Sequence, residues 1–414
     1  MNKPAASTAV DSQTSAVLTA STGALTFAAT TALFPSAIAP EIAKALGVSP
    51  ALVGIQVSLL YAGAMLSSLV GGGITRRLGA CRTTQWAVLF FGLGALTATI
   101  PNAGVFVIAS LLIGLGYGLT NPAASHLIVR FTHPGRRGLI FGFKQTGVPL
   151  GGVIAGALAP TLALQLGWQM AMATLLLPAL AGVIVLERYR SQWDGDRQPQ
   201  APWIDSPLAD IQLVWGHSPL RWAALASFFF SVTQLCLTVF TVTMLVEDLA
   251  VGLITAGLMM AAVQLCGVAG RVFWGWLADH WGNGILTLAA TQSAATLLAF
   301  AITLMRPDWS LALMTLVLCL FGLVALGWNG IYLSQIAYLA PAGHIARASG
   351  GALFITFAGV LSGPAIFSAL HLLTLSYLSI FAAVALMSAI GVILTLLAHT
   401  SAASAQAYPV IEHD

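Results

Sequence analysis

Long apolar runs separated by short polar breaks recur along all 414 residues. Twelve runs are long enough to span a bilayer as helices, which takes about 20 apolar residues. They lie near 16–39, 51–73, 83–101, 104–129, 138–160, 167–187, 219–245, 252–278, 284–304, 309–336, 348–370 and 375–398. Apolar positions do not alternate within them, and the runs far exceed the ten or so residues of a membrane strand, which excludes a β-barrel. Most breaks carry turn chemistry, as in Gly47-Val48-Ser49-Pro50, Pro101-Asn102-Ala103-Gly104 and Arg306-Pro307-Asp308. One break is long: residues 188–218 hold Arg188, Arg190, Asp194, Asp196, Arg197, Asp205 and Asp210 among three prolines and three tryptophans. The pattern predicts an all-α integral membrane protein of twelve transmembrane helices. Its parts are a tail at 1–15, a six-helix bundle at 16–187, a linker at 188–218, a second six-helix bundle at 219–398 and a tail at 399–414.

Composition narrows the reading further. Hydrophobic residues make up 58% of the chain and charged residues 7%, against roughly 25% charged in a water-soluble protein. A solvated surface cannot be built from this set, and disorder needs the opposite bias. The net charge of +3 comes without a basic stripe, so no nucleic-acid partner is expected. The four cysteines, Cys81, Cys236, Cys266 and Cys319, lack metal-ligand spacing and read as packing residues. With no metal cluster, nucleophile motif or nucleotide loop, the chain is expected to be neither an enzyme nor a cofactor binder. Met1–Ser15 lacks the core and cleavage site of a signal peptide. With the N-terminus inside, the inner segments hold Lys3, Arg76, Arg77, Arg82, Arg130, Arg136, Arg137, Arg188, Arg190, Arg197, Arg221 and Arg347, and the outer loops only Lys44 and Arg306. The excess of inner positive charge places both termini in the cytoplasm.

The halves echo each other. Between spans 2 and 3 the chain reads Gly72-Gly73-Ile74-Thr75-Arg76-Arg77-Leu78-Gly79, and between spans 8 and 9 Gly275-Trp276-Leu277-Ala278-Asp279-His280-Trp281-Gly282. Both are glycine, six residues, glycine, offset by 203 residues. Internal repeats of six-helix units mark secondary transporters. Over nearly its whole length the chain resembles the major facilitator superfamily, whose loop signature G-x-x-x-D-R-x-G the second copy matches at Gly275, Asp279 and Gly282. The first copy departs, with Arg76 where the family has Asp. The resemblance implies transport by rocking of two halves, a monomeric working state, and a cytoplasmic gate. In that gate Asp279 would latch onto the start of span 5 near Arg136 and Arg137, since an anion is stabilised at a positive helix end. Arg76 cannot serve this way, so an asymmetric gate is expected; Arg76 and Arg77 otherwise serve topology.

Ionisable groups within spans are costly and are candidates for function. Each of the thirteen acids maps to a loop, a tail or a span end. Family members that exchange protons for cationic drugs usually carry a buried carboxylate and a span-4 Arg four residues before a glycine; here Ser110 precedes Gly114. Arg271 lies eight residues before Asp279, about 12 Å from the inner end of span 8. Gln264 shares its helical face. A guanidinium grips a carboxylate with two hydrogen bonds, and the run from Arg271 to Asp279 resembles span 8 of monocarboxylate and oxalate–formate type transporters. The alternative is that Arg271 pairs with carbonyls and only stabilises the bundle. Lys144 lies in span 5, roughly 9 Å in from Gly138, where it serves the site or gate or snorkels to the surface. Gly147, Gly151 and Gly152 with Pro149 match the family's antiporter motif only in part. Gln56, Tyr117, Asn121, Gln234, Trp328, Asn329 and Tyr332 add neutral polar groups.

The expected substrate site is therefore Arg271, Lys144, Gln264, Asn121, Tyr117, Asn329 and Trp328, with Asp279, Arg76, Arg77, Arg136 and Arg137 at the gate. The expected cargo is a small organic anion, a carboxylate, with a co-transported proton as an open partner. The alternative is efflux of hydrophobic drugs or neutral metabolites. The expected location is a bacterial inner membrane, with the lipid bilayer as the other partner.

Overall fold

A computed structural model describes residues 5–133, 137–203, 207–341, 344–374 and 376–407. Among these the regular structure is helical throughout. The first half runs α1 (Ala5–Ala37), α2 (Ala39–Leu46), α3 (Val53–Leu78), α4 (Ala80–Thr97), α5 (Ala103–Phe131), α6 (Arg137–Gln145), α7 (Gly147–Leu166), α8 (Trp168–Ala173), α9 (Leu176–Glu187) and α10 (Arg190–Trp193). The second runs α11 (Pro207–Gly216), α12 (Ser218–Glu247), α13 (Leu253–Trp281), α14 (Gly284–Ile302), α15 (Leu311–Ala325), α16 (Asn329–Leu339), α17 (Ile345–Thr374) and α18 (Tyr377–Ala407). Eleven helical stretches among the described residues are long and apolar enough to cross a membrane. The third predicted run forms α4, whose first turns carry Arg82, Thr83, Thr84 and Gln85, and it falls short of the others in apolarity.

The predicted breaks are built from caps. Asn102 accepts from the amides of Gly104 and Val105 to open α5, Asn283 accepts from Leu286 to open α14, and Ser310 accepts from Leu313 to open α15. Each satisfies amides that a helix start leaves without partners. Gly47 closes α2 at φ 65°, a left-handed position that glycine takes without steric cost.

Two compact units result. One holds Met1–Asp205 with Leu245–Glu247 and Val251–Ala261; the other holds Ser206–Met244, Asp248–Ala250 and Ala262–Asp414. In the first unit α3 and α5 cross at backbone contact. A Cβ on Gly114 would lie 2.0 Å from the Leu60 carbonyl oxygen, and one on Gly118 2.1 Å from that of Ala64. This is the small-residue spacing by which membrane helices approach closely enough for van der Waals packing to hold them. The second unit repeats the device between α13 and α15, where a Cβ on Gly270 would lie 2.0 Å from the Leu323 carbonyl oxygen. Apolar cores gather around Phe34, Trp168 and Met172 in the first unit and around Phe230, Trp328 and Ile336 in the second.

Candidate functional site

In the first unit the turn at Thr146 divides span 5 into α6 and α7 and sets Lys144 in the last turn of α6. Lys144 is 2% exposed. Its ammonium donates to Asn121 Oδ1 on α5 at 2.5 Å, and among the described residues no carboxylate reaches it. Tyr117, one turn before Asn121, is buried and meets Tyr61 of α3 edge to face at 5.4 Å. The structure thus brings Lys144 and Asn121 together and places Tyr117 beside Tyr61, a residue that the sequence alone did not single out. A cation taken out of water with only an amide for a partner is poorly compensated.

In the second unit span 10 is interrupted. α15 ends at Ala325 and α16 begins at Asn329, with Leu326, Gly327 and Trp328 between them. The break changes which carbonyls the helix itself uses. Arg271 Nε donates to the Leu326 carbonyl at 3.1 Å and Trp274 Nε1 to that of Leu323 at 3.1 Å. Non-helical backbone at membrane depth is tolerated where side chains satisfy it. Arg271 is half-buried, and Gln264, two turns earlier on α13, is 2% exposed. Across the break, Trp328 Nε1 and Asn329 Nδ2 both donate to Gln234 Oε1 of α12, at 2.9 and 3.0 Å. Tyr332, one turn on, lies in a hydroxyl chain with Thr356 and Ser227. Arg271, Trp328 and Asn329 therefore gather at one helix break, where Gln234 joins Trp328 to Asn329 and the Leu326 carbonyl holds Arg271.

Asp279 is exposed near the end of α13, with no cation in salt-bridge reach among the described residues. Arg136 lies outside the described residues, as does the side chain of Arg137 at the start of α6. The first loop is covered by the segment that follows α9. The Asp194 carboxylate accepts from the amides of Cys81 at 2.7 Å and Arg82 at 3.1 Å, capping α4. Gln198 N donates to the Arg76 carbonyl at 2.7 Å. The Arg77 guanidinium stacks 4.1 Å from the centre of the Trp203 ring. Asp196 pairs with Arg130 and with His126 Nε2, 2.8 Å away. Burial pushes the Asp194 carboxyl up from its ordinary value, against the two amides that pull it down. Sequence reasoning missed Asp194 and Asp196. The available signal was Trp193-Asp194-Gly195-Asp196, an aromatic beside two acids in a stretch otherwise read as a solvated linker.

Glycine-packed apolar helices, a basic side chain held within a span of each unit and an interrupted helix at one of them define a polytopic membrane protein of the transporter class. The profile of the Major Facilitator Superfamily matches residues 19–364, and the chain belongs to that family. Among its relatives, a hexuronate transporter of Bacillus subtilis is 21% identical over 284 residues, 64% of this chain and 67% of that protein. A probable 4-methylmuconolactone transporter of Cupriavidus pinatubonensis is 27% identical over 197 residues, 46% and 45% of the two chains. The chain thus spans about half to two thirds of the length of these curated relatives. The crystal structure of a D-xylose-proton symporter superposes with a TM-score of 0.70 at 16% identity, covering 93% of this chain and 96% of the other, a likeness of fold alone. The protein is a multi-pass membrane transporter and not an enzyme.

Proposed function

We propose that the protein is a secondary transporter for a small organic anion, a carboxylate, working by alternating access of two six-helix bundles at 16–187 and 219–398. The observation that carries this reading is Lys144, an almost fully buried cation whose partner is the amide of Asn121 and not a carboxylate. An anionic cargo supplies the missing counter-charge. Arg271 supports it: one nitrogen is held by a carbonyl at a helix break, and such breaks mark the binding regions of transporters. The hexuronate carried by the B. subtilis relative is itself a carboxylate. Arg271 would bind the anion and Lys144 assist, with Gln264, Asn121, Tyr117, Asn329 and Trp328 orienting it. Asp279, Arg76, Arg77, Arg136 and Arg137 would act at the cytoplasmic gate. The topology proposed has twelve spans, with α4 as the third, and both termini in the cytoplasm of a bacterial inner membrane. A monomer would be the working unit, with any proton coupling carried alongside the anion.

The test is uptake into proteoliposomes of a panel of labelled small carboxylates, D-galacturonate among them, by wild type beside Arg271→Ala. Uptake of a carboxylate that falls at least tenfold in the variant is expected. Wild-type uptake left unchanged by Arg271→Ala contradicts the site.

One observation favours a second reading, efflux of a hydrophobic or neutral solute. A crevice of about 650 Å³ in the first unit is lined by Thr19, Thr22, Thr26 and Thr30 beside Phe27 and Phe143, with no charged side chain among its walls. Export of uncharged aromatic compounds with no uptake of any carboxylate would favour it.

A further inference from the structure

The segment after α9 is folded onto the first unit and not strung out as a tether. Trp193 is 0% exposed, within the apolar core that also holds Cys81, Ile128 and Leu186. Its indole donates to Gln13 Oε1, and Arg130 donates to its carbonyl. Asp194 is buried and bonded to the first amides of α4. The loop is shaped to receive it. Gly79 sits at φ +98°, and a Cβ there would lie 2.2 Å from the Asp194 Cγ. A Cβ on Gly73 would lie 2.1 Å from the Trp203 carbonyl oxygen. The first glycine-bounded loop, the copy without its acid, is the one that another segment occupies with an acid.

We propose that Asp194 is a positioning residue for the cytoplasmic end of the first unit: it supplies from the central segment the carboxylate that the loop lacks at Arg76, so that the Gly72–Gly79 loop, the start of α4 and residues 190–203 move as one body during transport. This rests on the transport reading above, but its test is independent of the substrate. Two native thiols report on it. Cys81 is 0% exposed beneath the clamp, donating to the Leu186 carbonyl, and Cys236 is 1% exposed in the second unit. Asp194→Asn keeps the shape and one acceptor oxygen but loses the charge and one amide bond.

With N-ethylmaleimide on protein in nanodiscs, read by mass spectrometry, Asp194→Asn should label Cys81 about tenfold faster than wild type, the size expected for loss of a helix cap. Cys236 should be unaffected, and tryptic cleavage after Arg197 should quicken in parallel. Unchanged Cys81 labelling in a folded variant overturns the proposal, as does equal acceleration at both thiols, which signals general loosening. Where Asp194→Asn does not yield folded protein, Asp196→Asn decides. That change weakens only the ion pairs to Arg130 and His126 of α5, so Cys81 should stay within about twofold of wild type, and exposure there overturns the assignment to Asp194. In galacturonate uptake, Asp194→Asn should lower the maximal rate about fivefold at an unchanged half-saturating concentration. A wild type that takes up no carboxylate of the panel contradicts the substrate reading and leaves the labelling to decide this one.

Discussion

The two glycine-bounded loops share one spacing and are different objects. In the first, Arg76 replaces the acid, Gly79 faces Asp194, and Trp203 covers Arg77. In the second, Asp279 keeps the acid and is exposed, and a Cβ on Gly275 or Gly282 would meet nothing within 4 Å among the described residues. The same spacing thus does two jobs. One loop is a socket filled from the chain's own middle; the other presents its charge outward. The basic groups within the spans differ in the same sense, for Lys144 is sealed against one amide while Arg271 is half-buried on a backbone carbonyl. A shared motif therefore says where the chain turns, and its neighbours decide what the turn does.

The sharpest way to break this comparison is to put a methyl group at corresponding places. Gly79→Ala forces a Cβ into the Asp194 carboxylate at a left-handed backbone position, and should destabilise the protein by about 3 kcal/mol. Gly275→Ala, near the end of helix α13, should be neutral or gain up to about 1 kcal/mol. Thermal unfolding of both purified variants checks this, and equal losses would erase the difference between the loops. Next in size, Arg271→Met should lower carboxylate uptake about a hundredfold and Lys144→Met about tenfold, since charge-assisted bonds contribute roughly 1.5–3 kcal/mol. Initial rates at matched protein levels decide the order. Trp328→Phe removes one donor from Gln234 while Asn329 keeps that oxygen satisfied, so a loss of about 1 kcal/mol in unfolding is expected. The smallest effect belongs to Asp279→Asn, whose melting midpoint should move by less than about 0.5 kcal/mol equivalent. A large shift there would mean that the second loop is a socket too.

Much of this was legible along the chain, because a bilayer asks for long apolar runs and the caps that end them are local. Asn102, Asn283 and Ser310 cap the helices that follow the breaks. Lys144, Asn121, Trp328 and Asn329 could be named as polar residues in apolar surroundings. Their pairing could not, since Lys144 and Asn121 sit on different helices and no periodicity links them. The segment 190–203 was the least legible. Its acids and prolines look like a solvated linker, and the partners that bury Asp194 lie more than a hundred residues earlier. α4 falls short of the other long helices in apolarity because its first turns carry Arg82, Thr83, Thr84 and Gln85, just ahead of and at the start of the apolar run.

The central claim is that basic side chains within the spans make this transporter select an anion. It is tested most directly by uptake into proteoliposomes of D-galacturonate against uncharged D-galactose, a sugar of nearly the same shape, by wild type and by Lys144→Met with Arg271→Met. The account predicts that wild type prefers the anion at least tenfold and that the doubly substituted protein, still folded, loses the preference. Equal uptake of both sugars by wild type, or a preference that survives the loss of both charges, would contradict it.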